Sequence, residues 1–458
     1  MLTVEKIGGT SMSRFDEVLK NIILKNNESL YNRVIVVSAY GGVTNLLLED
    51  KHSGKGGIYT AFSNERNYRE LVAELLEKMK QINSAFREIG LDISKADSFV
   101  QERIERTCSY LQNISELIGS GYADKKNILM AAREILASAG EAHSAFNTVN
   151  ILNNNGINAQ LVDLSGFNDS DYLTIDERIA RSFKNIDFKK SLPIATGYTK
   201  GTEGIMREFQ RGYTEVTFAK IAVELGASEA VIHKEYHLCS ADPEIVGVER
   251  AIPVGYTNYD VADQLADIWM EAVHPKVSKA LELAGINLRI KNAFDPDHPG
   301  TLISKSYLGK ASKVELVSGN ESVLVVEIHD PSMVGAIGFD MDIMSVFVSC
   351  NISYIMKATN ANSISMVIQD TPEAQPMIRE LKRKFFMVTA RKAAIVCIMG
   401  SNIAKPGILA KASRVLSQNN INIDCVSQSL RQVNIQFLIS RRHYKKAIEQ
   451  LNQVLCLE

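Results

Sequence analysis

No apolar run in this sequence reaches the roughly 18 residues that a membrane-spanning helix needs. The first residues carry an acidic side chain, Glu5, and run into a glycine pair. A secretory leader would place basic and then apolar residues there, so a cytoplasmic location is expected. Paired cysteines are missing too. Cys108, Cys239, Cys350, Cys397, Cys425 and Cys456 are scattered without a Cys-x-x-Cys, which points to free thiols in a reducing compartment. Charge of one sign is not in excess, with 51 Lys and Arg against 53 Asp and Glu for a net charge of −2. No long basic run occurs, which leaves nucleic acid and anionic membranes without compositional support. A Walker loop is absent, since Ser304 and Ala311 stand at two of its required positions around Gly309-Lys310. The stretch His233-x-x-x-His237-x-Cys239 has no fourth ligand nearby, so zinc is not expected.

Hydrophobic residues make up 45% of the chain, enough for ample cores, and 458 residues suit roughly two to four domains. Up to about residue 305, short β-prone runs alternate with helical stretches. The strand candidates are Leu2–Lys6, Val34–Ser38, Ala159–Asp163, Leu192–Thr196, Ala230–His233, Leu288–Lys291 and Thr301–Ile303. Helices are expected over Met12–Leu24, Ile128–Asn153 and Glu215–Leu225, with a long helical region over Glu65–Ile118 and a polar surface loop over Asp50–Gly57. This alternation predicts an α/β layered fold with a mostly parallel sheet, whose ligands bind beyond the strands' C-terminal ends. The junction Lys6-Ile7-Gly8-Gly9-Thr10-Ser11 lies at such an end. Its backbone N–H groups and the start of the following helix make an anion the natural guest.

Ser304–Ser322 reads as a linker with one short strand, and an internal repeat lies beyond it. From Gly338 and from Gly407, 13 residues lead to Asn351 and Asn420, each followed by an apolar strand and then a closing one, SISMVI or NIQFLI. Strands over Val323–Ile328 and Ala394–Met399 precede the two copies. Two small sheets in sequence suggest a paired module joined at sheet edges.

The second repeat resembles an ACT domain, in its Gly407-Ile408-Leu409 start, its Asn422–Val426 strand and its closing Val433-Asn434-Ile435-Gln436-Phe437. Lys6–Ser11 resembles the KFGGTS signature of aspartate kinases, with Ile7 for the usual Phe. Val36–Leu47 resembles that family's second strand and loop, including its substrate threonine at Thr44. Gly140-Glu141 and Arg211-Gly212, with Thr214, Glu215 and Thr217 after them, resemble its aspartate-site motifs. The resemblance implies an amino-acid-kinase-like αβα sandwich over residues 1–305 and two ferredoxin-like βαββαβ ACT domains over residues 323–390 and 394–458. It implies transfer of the ATP γ-phosphoryl group to the β-carboxylate of L-aspartate, with ATP and Mg²⁺ required.

Within that resemblance, Lys6, Gly8 and Gly9 are the catalytic residues. A carboxylate with a pKa of about 4 is already a nucleophile at neutral pH, so no general base is needed. What remains is to hold two anions together and neutralise the charge that builds between them. Arg211 would grip the substrate's α-carboxylate and Glu141 its ammonium, with Thr44 and Ser38 as neutral donors. Lys6, Thr10, Ser11, His233, Lys234 and Asp242 are the nucleotide candidates, Asp242 either reaching ribose or bracing its loop. No metal ligand is nominated.

The chain also departs from the family pattern. His233-Lys234 replaces Thr-Asp, Cys239 and Glu244 replace a tyrosine and an arginine, and Glu271 replaces a lysine. The stretch IHKEYHLCSADPEIVG resembles the aspartate kinase branch associated with ectoine. The ACT pair either binds an amino-acid effector such as lysine or threonine or serves only to build a homodimer or larger assembly. Two other functions stay open: a related amino-acid kinase with another acceptor, and a catalytically silent amino-acid sensor.

Overall fold

The computed structural model describes residues 1–25, 30–50, 53–122, 124–209, 212–268 and 273–457. Two compact units divide the chain, one from Met1–His237 with Lys279–Gly300 and one from Leu238–Ser278 with Thr301–Glu458. The strands are β1 (Thr3–Ile7), β2 (Arg33–Val37), β3 (Ala159–Val162), β4 (Leu192–Thr196), β5 (Glu229–Lys234), β6 (Tyr256–Thr257) and β7 (Asn287–Asn292). They continue with β8 (Thr301–Ile303), β9 (Leu316–His329), β10 (Met356–Thr359), β11 (Ser363–Gln369), β12 (Met387–Met399), β13 (Cys425–Ser427) and β14 (Asn434–Ile439).

The first unit is built on strands in the order β3-β4-β2-β1-β5-β7, all parallel. All five residues of β2 and of β4 are buried, as expected for a parallel sheet covered on both faces. The chain leaves β1 for β2 on one side and returns as β5 on the other, which opens a crevice at the C-terminal end of β1. Side chains alternate along β1, so Glu5 and Ile7 face one way and Lys6 the other. The register sets Lys6 beside Val36 and Ile232, and Ile7 beside Val37 and His233.

Two helical expectations resolve differently. Met12–Leu24 is not one helix but a turn over Gly9–Met12, another over Phe15–Val18 and a wider π turn over Leu19–Ile23. The break falls at Ser13-Arg14, where the Ser13 hydroxyl donates to the Gly9 carbonyl and accepts from the Gly41 N–H. The Glu65–Ile118 region is two helices, Arg69–Ala85 and Ile93–Gly119, the second capped by the Asp92 carboxylate, which accepts from the Lys95 N–H. The helix expected over Ile128–Asn153 spans Lys125–Asn154, and every residue from Leu136 to Ala145 in it is buried.

In the second unit β6 and β8 form a short parallel pair, and a six-stranded antiparallel sheet runs in the order β10-β11-β9-β12-β14-β13. The long strands β9 and β12 pair along nearly their whole length, with an irregularity between Ala393 and Ile395. The second half of β9 pairs with β11, whereas Leu316–Asn320 pairs with the 395–399 end of β12. Val317 accordingly packs with Val396, Ile398, Phe437 and Leu451. A separate core gathers Val326, Phe347, Met366 and Leu381. The two repeats are therefore interleaved: the strand of the expected linker serves the later module. Gly338 and Gly407 open equivalent helices at φ 100° and 99°, and Asn351 and Asn420 end them at φ 52° and 56°. The repeated glycine-to-asparagine spacing thus marks left-handed backbone at both ends of one helix.

Candidate active site

The crevice is lined by the residues that leave β1, β2 and β5. Lys6 is 9% exposed, and its Nζ lies 3.3 Å from Oε1 of Glu215. A Cβ on Gly9 would sit 2.6 Å from the Ala39 carbonyl oxygen, so only glycine lets the exits of β1 and β2 approach so closely. A Cβ on Gly8 would meet nothing nearer than 3.7 Å. We therefore expect Gly9→Ala to lower the unfolding free energy by about 1–3 kcal/mol, the usual overpacking penalty. Gly8→Ala should cost far less, and denaturant unfolding of the two variants checks the difference. Equal losses would show that close approach is not what Gly9 provides.

Thr10 is exposed and Ser11 buried. The Ser11 N–H and hydroxyl both donate to Oε1 of Glu235, at 3.2 and 3.1 Å. Sequence reading passed over Glu235, whose only signal is its place directly after β5. Ser38 follows β2, half-buried, with its N–H donating to the Ile7 carbonyl. Thr44 is half-buried in the short helix Val43–Leu47.

Glu141 is 2% exposed on the Lys125–Asn154 helix. A Cβ on the preceding Gly140 would fall 2.9 Å from that of Ala39, so this glycine lets the helix settle against the β2 exit. Oε1 of Glu141 accepts from the Thr214 hydroxyl, while its buried Oε2 has no hydrogen-bond partner among the described residues. Burial pushes the carboxyl up to about 8, although the Thr214 hydrogen bond and the charge of Lys6 pull the other way. Thr214 and Glu215 lie in the first turn of the helix Tyr213–Glu224, so one turn ties Glu141 to Lys6. Arg211 lies outside the described residues, as does Glu271.

The nucleotide candidates divide. Lys234 is half-buried at the end of β5. His233 belongs elsewhere than expected: register puts it beside Ile7, on the sheet face opposite Lys6. Its Nε2 lies 2.8 Å from Oε2 of Glu5, a carboxylate that also takes two hydrogen bonds from Arg33. Burial pushes the Glu5 carboxyl up, but the Arg33 charge and the hydrogen bonds from His233 and Arg33 outweigh it and hold it far below the usual carboxylate range. His233 thus braces β1 from beneath. Asp242 lies in the second unit, where its carboxylate accepts from the Glu244 N–H and caps the turn Pro243–Val246. That is the loop-bracing alternative. Among the described residues no group of three or more His, Cys, Asp or Glu side chains is placed to hold a metal ion, and no helix is long and apolar enough to cross a membrane.

Comparison with known proteins adds to this geometry. The amino acid kinase family model matches residues 1–292, and an ACT domain model matches residues 396–455. The aspartate kinase Ask_Ect of Stutzerimonas stutzeri is 42% identical over 463 residues, covering 99% of this chain and 97% of that protein. The chloroplastic aspartokinase 1 of Arabidopsis thaliana is 26% identical, covering 98% and 79%. Among solved structures, Clostridium acetobutylicum aspartate kinase superposes with a TM-score of 0.74 at 19% identity, covering 99% of this chain and 100% of that one. E. coli aspartokinase III in complex with aspartate and ADP gives 0.74 at 21% identity, covering 100% of both chains. At such identities the solved structures speak for the fold.

Proposed function

The chain belongs to the amino acid kinase family, as an aspartate kinase with ACT modules behind its catalytic part, and on that premise we propose how the crevice around β1 works. It transfers the γ-phosphoryl group of ATP to the β-carboxylate of L-aspartate, giving ADP and 4-phospho-L-aspartate. The attacking carboxylate is ionised at neutral pH, so the protein supplies position and positive charge instead of a base. Lys6 and the Gly8 and Gly9 amides stabilise the charge that spreads over the phosphoryl oxygens. Glu141 takes the substrate's ammonium, Arg211 its α-carboxylate, and Thr44 and Ser38 donate to its carboxylates. Thr10 and Lys234 are the donors proposed for the nucleotide phosphates, while Ser11, a nucleotide candidate by sequence, has both its donors on Glu235.

The observation that carries this reading is Glu141: a buried carboxylate with one oxygen unpaired among the described residues, tied through a single helical turn to Lys6. Leaving that oxygen dry and unmatched is costly unless a cation visits it. Mg²⁺ would arrive on the ATP phosphates, where it neutralises charge on their oxygens, and would complete its shell largely with phosphate and water. Incubation with ATP, L-aspartate and hydroxylamine tests the assignment. We expect aspartyl hydroxamate to form with aspartate and not with glutamate; no hydroxamate, or equal amounts from both, would contradict it.

The ACT modules supply regulation and assembly. E. coli aspartokinase III has been solved with lysine and aspartate in a T-state, and by analogy lysine or threonine is the effector proposed for this chain. Ile337 and Leu430, fully exposed apolar side chains in the two modules, support pairing of copies there. A monomeric mass by light scattering, or activity indifferent to both amino acids, would remove these two proposals. The product would enter aspartate-family amino-acid synthesis or, in keeping with the IHKEYHLCSADPEIVG stretch, ectoine synthesis.

A further inference from the structure

The Lys125–Asn154 helix carries a second carboxylate on the face that bears Glu141. Glu134 precedes Glu141 by seven residues, about two turns, so both side chains look toward the same neighbour. That neighbour is the connector from β4 to the helix Tyr213–Glu224. Oε2 of Glu134 accepts from the Tyr198 hydroxyl at 2.6 Å, just past β4, and Oε1 accepts from the Met206 N–H at 2.7 Å, midway along the connector. Tyr198 and Met206 are 3% and 1% exposed. The Tyr198 ring also meets the Tyr213 ring edge-on, with centroids 5.9 Å apart. Thr214, at the connector's far end, donates to Glu141.

One helix face therefore holds the connector at its start, its middle and its end. Neither donor to Glu134 carries charge. The adjacent Arg133 is turned to Glu49, to which it donates two hydrogen bonds. Burial pushes the Glu134 carboxyl up, while hydrogen bonds from Tyr198 and from the Met206 and Arg207 backbone, with the Arg207 charge, pull it down. Its two strong acceptor contacts are to neutral donors, so the carboxylate serves as a double acceptor that sets the position of what it holds.

We propose that Glu134 is a positioning residue for the acidic amino acid. By fixing Tyr198 and Met206 it sets where the connector delivers Thr214 to Glu141, and hence the geometry in which Glu141 meets the substrate's ammonium. This role rests on the aspartate kinase reading. Steady-state kinetics on the full chain, with aspartate and ATP varied separately, test it in Glu134→Ala, Glu134→Gln and Tyr198→Phe.

Glu134→Ala is expected to raise the aspartate KM about tenfold and leave the ATP KM within about twofold, as loss of two partly buried hydrogen bonds to a carboxylate implies. Glu134→Gln should recover most of the loss, since its amide oxygen still accepts from Met206 and its NH₂ donates to the Tyr198 hydroxyl. Tyr198→Phe removes one bond and should raise the aspartate KM about threefold. A merely structural residue would lower kcat with the folded fraction and move neither KM. That pattern, or both KM values rising together, would overturn the proposal. If Glu134→Ala does not fold, an unmoved aspartate KM in Tyr198→Phe overturns it equally. A wild-type chain that forms no acyl phosphate would remove the function itself, a result distinct from an active wild type with an unmoved KM in the variants.

Discussion

Lys6→Ala should lower kcat by about 10²–10³-fold, the usual loss when one preorganised partner of transition-state charge is removed. Lys6 is the buried cation of the crevice floor, held on β1 between two parallel neighbours and steadied by Glu215. Its contribution grows as charge moves between the two anions, so the effect falls on turnover. The aspartate KM should stay within a few-fold, because Glu141 and Thr214 keep their contact. Lys6→Arg should recover only part of the rate, since a planar fork does not reproduce a compact ammonium. Unchanged turnover in Lys6→Ala would remove Lys6 from the reaction.

Glu141→Gln should raise the aspartate KM about 30–100-fold, the equivalent of roughly 2–3 kcal/mol for a charge-assisted hydrogen bond lost from a buried site. The turnover of bound substrate should fall less. The pH dependence gives a second reading of the same residue. Burial raises the folded-state pKa of Glu141 from 4.5 to about 8. Below that value the free protein holds the carboxyl protonated, and an ammonium finds no charge to meet. The kcat/KM for aspartate should therefore climb as pH rises toward about 8 and level off above it. In the same window the native state keeps a proton that the unfolded chain has lost, so this group's contribution to stability declines as pH rises from about 4.5 to about 8. Glu141→Gln should flatten both profiles. A profile in the variant as steep as in the wild type would assign the titration to another group.

Much of this arrangement was legible in the sequence, for identifiable reasons. Buried parallel strands read as continuous apolar runs, and Leu192–Thr196 and Thr301–Ile303 agree with the structure to the residue. The Gly338 and Gly407 repeats were visible because left-handed backbone at both helix ends restricts the residue types that can occupy it. Lys6, Gly9 and Glu141 stood out through motifs, and the structure brings them to one crevice.

Other features depend on contacts distant in sequence. The break in the Met12–Leu24 helix comes from a Ser13–Gly41 hydrogen bond that no local pattern announces. The interleaving of the modules rests on Leu316–Asn320 pairing with a strand that lies beyond the whole intervening module. Glu134 and Glu235 look like ordinary solvated carboxylates until the fold supplies their donors. The facing of His233 is not legible locally, because it depends on a single step of register between β1 and β5.

The central claim is that the amine of Lys6 and the amides after β1 receive the transferring phosphoryl group while Glu141 holds the amino acid. A crystal structure of the chain with a non-hydrolysable ATP analogue and L-aspartate tests it most directly. The account predicts the terminal phosphate within hydrogen-bond distance of Lys6 Nζ and of the Gly8 or Gly9 N–H, with the aspartate ammonium on Glu141 Oε2. A terminal phosphate away from β1, or an ammonium held by another carboxylate, would contradict it.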